Sequence, residues 1–202
     1  MGLMSSIFGP SRGEIWAEIA RDIGGHYEDG GLFGAKVLRY QSGNWFISLD
    51  TFSTGGEHST TFTRMRAPFV NKRGLRFKIA PQGFFANIGK AFGAQDIEVG
   101  DPFFDDAYVI KGNQELTVRQ LLSDPDLRAW IRLQPRIQLE LRDDGGWFST
   151  KYPAGVDELY FACPGVLTDE TRLKNLFDLF TYPLARLVQI EAASPADPGV
   201  QL

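Results

Sequence analysis

HSTTFTRMRAPFVNKRGLRFKIA, residues 58 to 80, holds two stretches of strand-like alternation separated by a basic, glycine-containing break. In LRFKI, Leu75, Phe77 and Ile79 point to one side of an extended chain and Arg76 and Lys78 to the other, because side chains alternate across a strand. In HSTTFTRMR, Arg64 and Arg66 share a face for the same reason. Read as hairpin neighbours with their cationic sides outward, the two strands gather Arg64, Arg66, Arg76 and Lys78 on one surface. Like charges directly opposite each other cost up to about 1 kcal/mol. Such a surface calls for compensation.

The distribution of charge sharpens the point. From His58 through Gln95 there is no acidic residue, yet Arg64, Arg66, Lys72, Arg73, Arg76, Lys78 and Lys90 fall there. Asp96, Glu98, Asp101, Asp105 and Asp106 follow with no basic residue among them. Two sources of compensation are open. In one, carboxylates from residues 96 to 106, Asp101, Asp105 and Asp106 among them, lie across the cationic strands as an exposed ionic network of small net value. In the other, an external anion binds: an acidic protein or an anionic surface such as lipid headgroups. Phe62, Phe69, Phe84, Phe85 and Phe92 suit a membrane surface, although phenylalanine is more often core.

Outward from this stretch the pattern is α+β. SRGEIWAEIARDIGG reads as a helix, with Ser11 and Glu14 at capping-box spacing and Gly24 at the exit. AKVLRY and NWFISLDTF, either side of QSG, read as a β-hairpin. QGFFANIGKAFG has helical spacing weakened by Gly89. QELTVRQLL and DPDLRAWIRL are a central pair of short helices, the second opened by Asp124 and Pro125. RIQLELRDDGGWFSTKY reads as a hairpin turning at DDGG, and DELYFAC as a further strand. A long C-terminal helix starts behind Thr168 and runs through Pro183, where a kink is expected. Strands that come in hairpins, not singly between helices, imply antiparallel pairing. The expected division is a flexible N-terminus over 1–10, one α+β domain over 11–192, and a disordered tail over 193–202. GNWFIS and GGWFST echo each other, as an α-β-β-β-α pseudo-repeat with halves 11–95 and 96–192 would require.

Composition excludes several classes. With 202 residues and 43% hydrophobic content the chain can bury a substantial core. A net charge of −4 makes nucleic acid an unlikely partner. Cys163, the sole cysteine, excludes an intrachain disulfide and suggests a cytoplasmic setting. Together with only His26 and His58 it leaves no zinc set, and no metal or cofactor is expected. No run approaches the roughly 18 apolar residues of a membrane span. GGHYEDGGLFGAK is glycine-rich but lacks the G-K-[ST] of a phosphate loop. A hydrolase would need Cys163 beside a histidine, or Asp101, Asp105 and Asp106 acting together. GDPFFDDAYVI lacks calcium-loop spacing and reads as a turn at Asp101 and Pro102 followed by a strand.

WAEIARDIGGHYEDG, VGDPFFDDAYVIKGNQELTVRQLLSDPDLRAWI and the leucine-rich final helix together resemble the bacterial domain-of-unknown-function family 3137, with Gly100, Asp101, Phe104, Asp105, Tyr108 and Val109 carrying the match. The family has no established activity, so the resemblance implies no catalytic residue. The leading expectation is a noncatalytic binding domain using Arg64, Arg66, Arg76 and Lys78. The alternatives are a carrier of an apolar ligand, suggested by 16 phenylalanines, and the hydrolase above.

Overall fold

Among the described residues, eight antiparallel strands form one continuous sheet in the order β1-β2-β3-β4-β8-β7-β5-β6. The computed structural model describes residues 10–31, 36–57, 59–83, 96–143, 151–200 and 202. The strands are β1 (His26–Asp29), β2 (Lys36–Ser42), β3 (Trp45–Ser53), β4 (Thr61–Val70), β5 (Phe77–Pro81), β6 (Tyr108–Gly112), β7 (Leu139–Arg142) and β8 (Val156–Pro164). The helices are α1 (Arg12–Ile23), α2 (Pro102–Ala107), α3 (Glu115–Leu122), α4 (Pro125–Arg132) and α5 (Glu170–Gln189). Among the described residues no helix is long and apolar enough to cross a membrane.

Local chemistry sets the helix ends. The Ser11–Glu14 capping box starts α1, and Gly24 ends it in the left-handed conformation, φ 73°. Asp124 caps α4 by accepting from the N–H groups of Asp126 and Leu127. The long helix α5 is capped by Asp169, which accepts from Arg172, one residue later than the Thr168 expected from sequence. It runs on through Pro183. The turn expected at Asp101–Pro102 opens a helix instead. Asp101 caps α2, Pro102 takes its first position, and Phe104 becomes a fully buried anchor.

Residues of the strands alternate between two faces. Leu38, Ile47, Leu49, Met65, Phe69, Leu159, Phe161, Leu139, Ile79 and Ile110 join Trp16, Ile19, Leu121, Ile131, Leu176 and Phe180 of the helices in one core. Burial of these large side chains stabilises by roughly 1.5–3 kcal/mol each relative to exposure. Trp16 also donates its indole N–H to the Leu167 carbonyl at 2.9 Å, tying α1 to the loop after β8.

The sequence-based pairing of β4 with β5 is corrected here. β8 and β7 lie between them. β4 pairs with β8 over eight positions, from Thr63↔Cys163 to Val70↔Val156, while β5 sits between β7 and β6. Hairpin logic fails because the segment between β4 and β5 crosses the sheet instead of turning back. β1 to β4 form a simple meander, whereas β5, from the first half of the sequence, belongs to the other half of the sheet. Leu139 and Leu141 alternate along β7 and face the core. Its expected return at DDGGWFST, the helix expected at QGFFANIGKAFG, Phe84, Phe85, Lys90, Phe92 and His58 lie outside the described residues. The segment assigned above to a disordered tail makes ladder contacts: Asn71 bridges Ala193, and Ser194 N–H donates to Val70.

Candidate functional site: a charged row across the sheet

The face away from the helices carries a row of side chains that crosses all eight strands. Successive register partners are His26, Arg39, Ser48, Arg66, Tyr160, Glu140, Lys78 and Lys111. Each lies on the side opposite the core residues next to it, because the strand period is two. Six cations of this face, Arg39, Arg64, Arg66, Lys78, Lys111 and Arg142, meet four strand carboxylates, Glu28, Asp50, Glu140 and Glu158, together with Asp96, which pairs with Lys111.

Asp50 on β3 is the hub at one end. Its two oxygens accept from Arg64 Nε at 2.8 Å and Nη2 at 2.6 Å, and Arg66 Nη2 adds a third contact at 3.0 Å. Burial works against the Arg64 charge, and the Asp50 contacts outweigh it, raising its pKa. The Arg64 guanidinium also lies 5.1 Å from the Phe52 ring, which stacks on Phe62 at 5.3 Å. At the other end Glu140 pairs with Lys78. Arg142 Nε donates to Glu158 at 2.9 Å, and its guanidinium stacks 3.3 Å from the centre of the Tyr160 ring. Tyr152 donates its hydroxyl to the other Glu158 oxygen at 2.5 Å. Burial, then that hydrogen bond, push the Tyr152 hydroxyl far above its ordinary pKa. Glu158 is 1% exposed, so these contacts replace its lost hydration.

Arg64, Arg66 and Lys78 therefore share this face. Arg76 precedes β5 and turns instead to Asp143 and, at 3.7 Å, Asp157. The expectation that carboxylates of the 96–106 run neutralise these cations is corrected for Asp101, Asp105 and Asp106, while Asp96 of the same run pairs with Lys111. Asp101 accepts from Arg128 at 3.0 Å and Arg132 at 2.8 Å on α4. Asp105 accepts from the N–H groups of Val99 and Gly100, and Asp106 is exposed. The carboxylates that meet Arg64, Arg66, Lys78 and Arg142 come from β3, β7 and β8, the strands that lie beside or between the cationic ones. Arg39, Ser48, Asp50, Glu140, Arg142, Tyr152, Glu158 and Tyr160 belong to this site without any motif in the sequence to mark them. The alternation in NWFISLD and RIQLELR did contain the signal for Ser48, Asp50 and Glu140.

Cys163 is buried on the core side, where desolvation pushes its thiol up against the opposing influence of Arg172. His26, on β1, is four strand spacings away, about 19 Å of sheet, and faces the other side. Asp101 and Asp105 are each engaged by separate donors. No cluster of three or more His, Cys, Asp or Glu residues suited to a metal occurs among the described residues.

No family model matches the chain, and no curated protein matches it in sequence. Among solved structures it is similar to the crystal structure of the mycobacterial trehalose monomycolate transport factor A, TtfA, with a TM-score of 0.50 and 12% identity over 94% of this chain and 98% of that one. The likeness is one of fold.

Proposed function

We propose that this chain is a noncatalytic binding module that presents the sheet face away from its helices to an anionic surface. The observation that carries this reading is the row crossing the sheet, where six cations gather among four strand carboxylates and Asp96, the partner of Lys111. The internal pairs hold the guanidinium groups in place, which reduces the ordering cost of binding. Half-buried Phe46, Phe52 and Phe62 stand on the same face and add apolar contact at the edge of the charged field. Membership in family 3137, on the residues quoted for it, belongs to the same proposal.

The test is co-sedimentation with phosphatidylcholine vesicles, with and without phosphatidylglycerol. Binding is expected only with the anionic lipid, weakening as salt shortens the screening length, and falling in a Lys78→Gln, Arg142→Gln double variant. Equal indifference to both vesicles would remove the reading. Binding to polyglutamate but to neither vesicle would assign the face to an acidic protein instead.

A second reading, carriage of a small amphiphilic ligand, is favoured by the fold shared with a protein named for trehalose monomycolate transport. Saturable uptake of a fluorescent fatty acid at one site per chain would support it.

A further inference from the structure

At the β1–β3 end of the row lies a hollow of about 290 Å³ walled by Gly24, Gly25, His26, Arg39, Gln41 and Phe46. The α1 exit rests directly on β2 here: a Cβ on Gly25 would sit 2.6 Å from the Arg39 carbonyl oxygen. Ser48 adjoins this wall. It is the register partner of Arg39 and stands two residues from Phe46 on the same side of β3. On its other flank it pairs with Arg66.

These neighbours share an unmet demand. Ser48 is 2% exposed, and both its Oγ and the Nε of Arg66 are buried without a hydrogen-bond partner. Polar atoms left this way in a fold call for an explanation, and a missing ligand is one. Arg39 already takes oxygen ligands at this place. Its Nε donates to a main-chain oxygen of Leu202, and its Nη1 meets Glu28 at 2.6 Å. Arg39, Ser48 and Arg66 thus offer donors from three adjacent strands. Guanidinium and hydroxyl donors in a row match an oxyanion with several acceptor oxygens.

We propose that this hollow binds a phosphate monoester group, its oxygens on Arg39, Ser48 and Arg66 and its organic part against Phe46. Entry exchanges the Leu202 oxygen on Arg39 for a phosphate oxygen. The inference rests on reading the face as anion-binding and names the chemistry recognised there. A lipid headgroup and a soluble phosphate ester both carry that chemistry.

The experiment titrates the ¹⁵N-labelled full chain with inorganic phosphate, with glycerol 3-phosphate and with phosphatidic acid vesicles. Saturable shifts of the Gly25, Arg39 and Ser48 amides are expected. Ser48→Ala should weaken phosphate binding about fivefold and Arg39→Gln about tenfold or more, the range for hydrogen bonds to charged groups. Because the Ser48 hydroxyl has no partner, Ser48→Ala should leave the urea midpoint at or above that of the wild type. A lower midpoint, shifts confined to other residues, or wild-type titrations by both variants would overturn the assignment. Tight vesicle binding that depends on Arg39 and Ser48 identifies a headgroup; response to glycerol 3-phosphate alone identifies a soluble ester. Phosphatidylglycerol binding unaffected by either variant, without phosphate saturation, would leave the wider face reading standing and this one refuted.

Discussion

Asp50 faces two guanidinium groups from the neighbouring strand while its own side chain is 9% exposed. Asp50→Asn keeps its shape and removes the charge that Arg64 and Arg66 share. Breaking one side of a buried pair costs about 3–5 kcal/mol, and Arg64, whose side chain is 25% exposed, recovers some hydration. A loss of about 3 kcal/mol is expected, visible as a lower urea midpoint with an unchanged slope. The face on which Asp50 lies was legible, because Ile47 and Leu49 alternate with Ser48 and Asp50 in NWFISLD. Its partnership was not, since it depends on the register Asp50↔Arg64, which local alternation does not specify.

At the scale of elements, Asp101 and Asp124 join the short helices to the rest. Burial opposes the Asp101 charge, but the Phe104 N–H, Arg132 and Arg128 hold its carboxyl below the ordinary value. Asp124 is likewise lowered against burial, by the Tyr182 hydroxyl, the Leu127 and Asp126 N–H groups and Arg186. A carboxyl with a lowered folded-state pKa contributes stability that is present above its unfolded value, about 3.9 for Asp. That contribution is lost as pH falls through the folded value. Denaturation midpoints measured from pH 6 downward should therefore drop below about pH 4, and drop less steeply in Asp101→Asn. A variant curve parallel to the wild type would remove Asp101 from this role. The caps of α1 and α4 were readable because capping is local. The same Asp-Pro signal at Asp101 reads as a turn, since six residues before a strand leave too short a periodic stretch to distinguish.

Across the whole molecule, the strand order was the least legible feature. Alternation identifies a strand and its two faces, but β4 meets β8 across some ninety residues of sequence, and no local pattern encodes that choice. The α+β class and the antiparallel pairing were legible from hairpin spacing; the crossing of β5 was not. That crossing makes a prediction about the expected halves. Fragments 11–95 and 96–192 separate β5 from its partners β6 and β7. Each alone should show no dispersed amide spectrum, and mixing them should restore it. A folded 11–95 fragment would show that the meander is self-sufficient.

The position of β8 also bears on how the chain is made. While the ribosome is still delivering the later segments, the outer backbone groups of β4 have no strand beside them, and they stay so until residue 164 has emerged. For that interval the nascent protein presents a ten-residue hydrogen-bonding edge to any other extended chain, a known route to aggregation. Slow elongation after β4 should lower the soluble yield, and a chaperone that shields exposed strands should recover it.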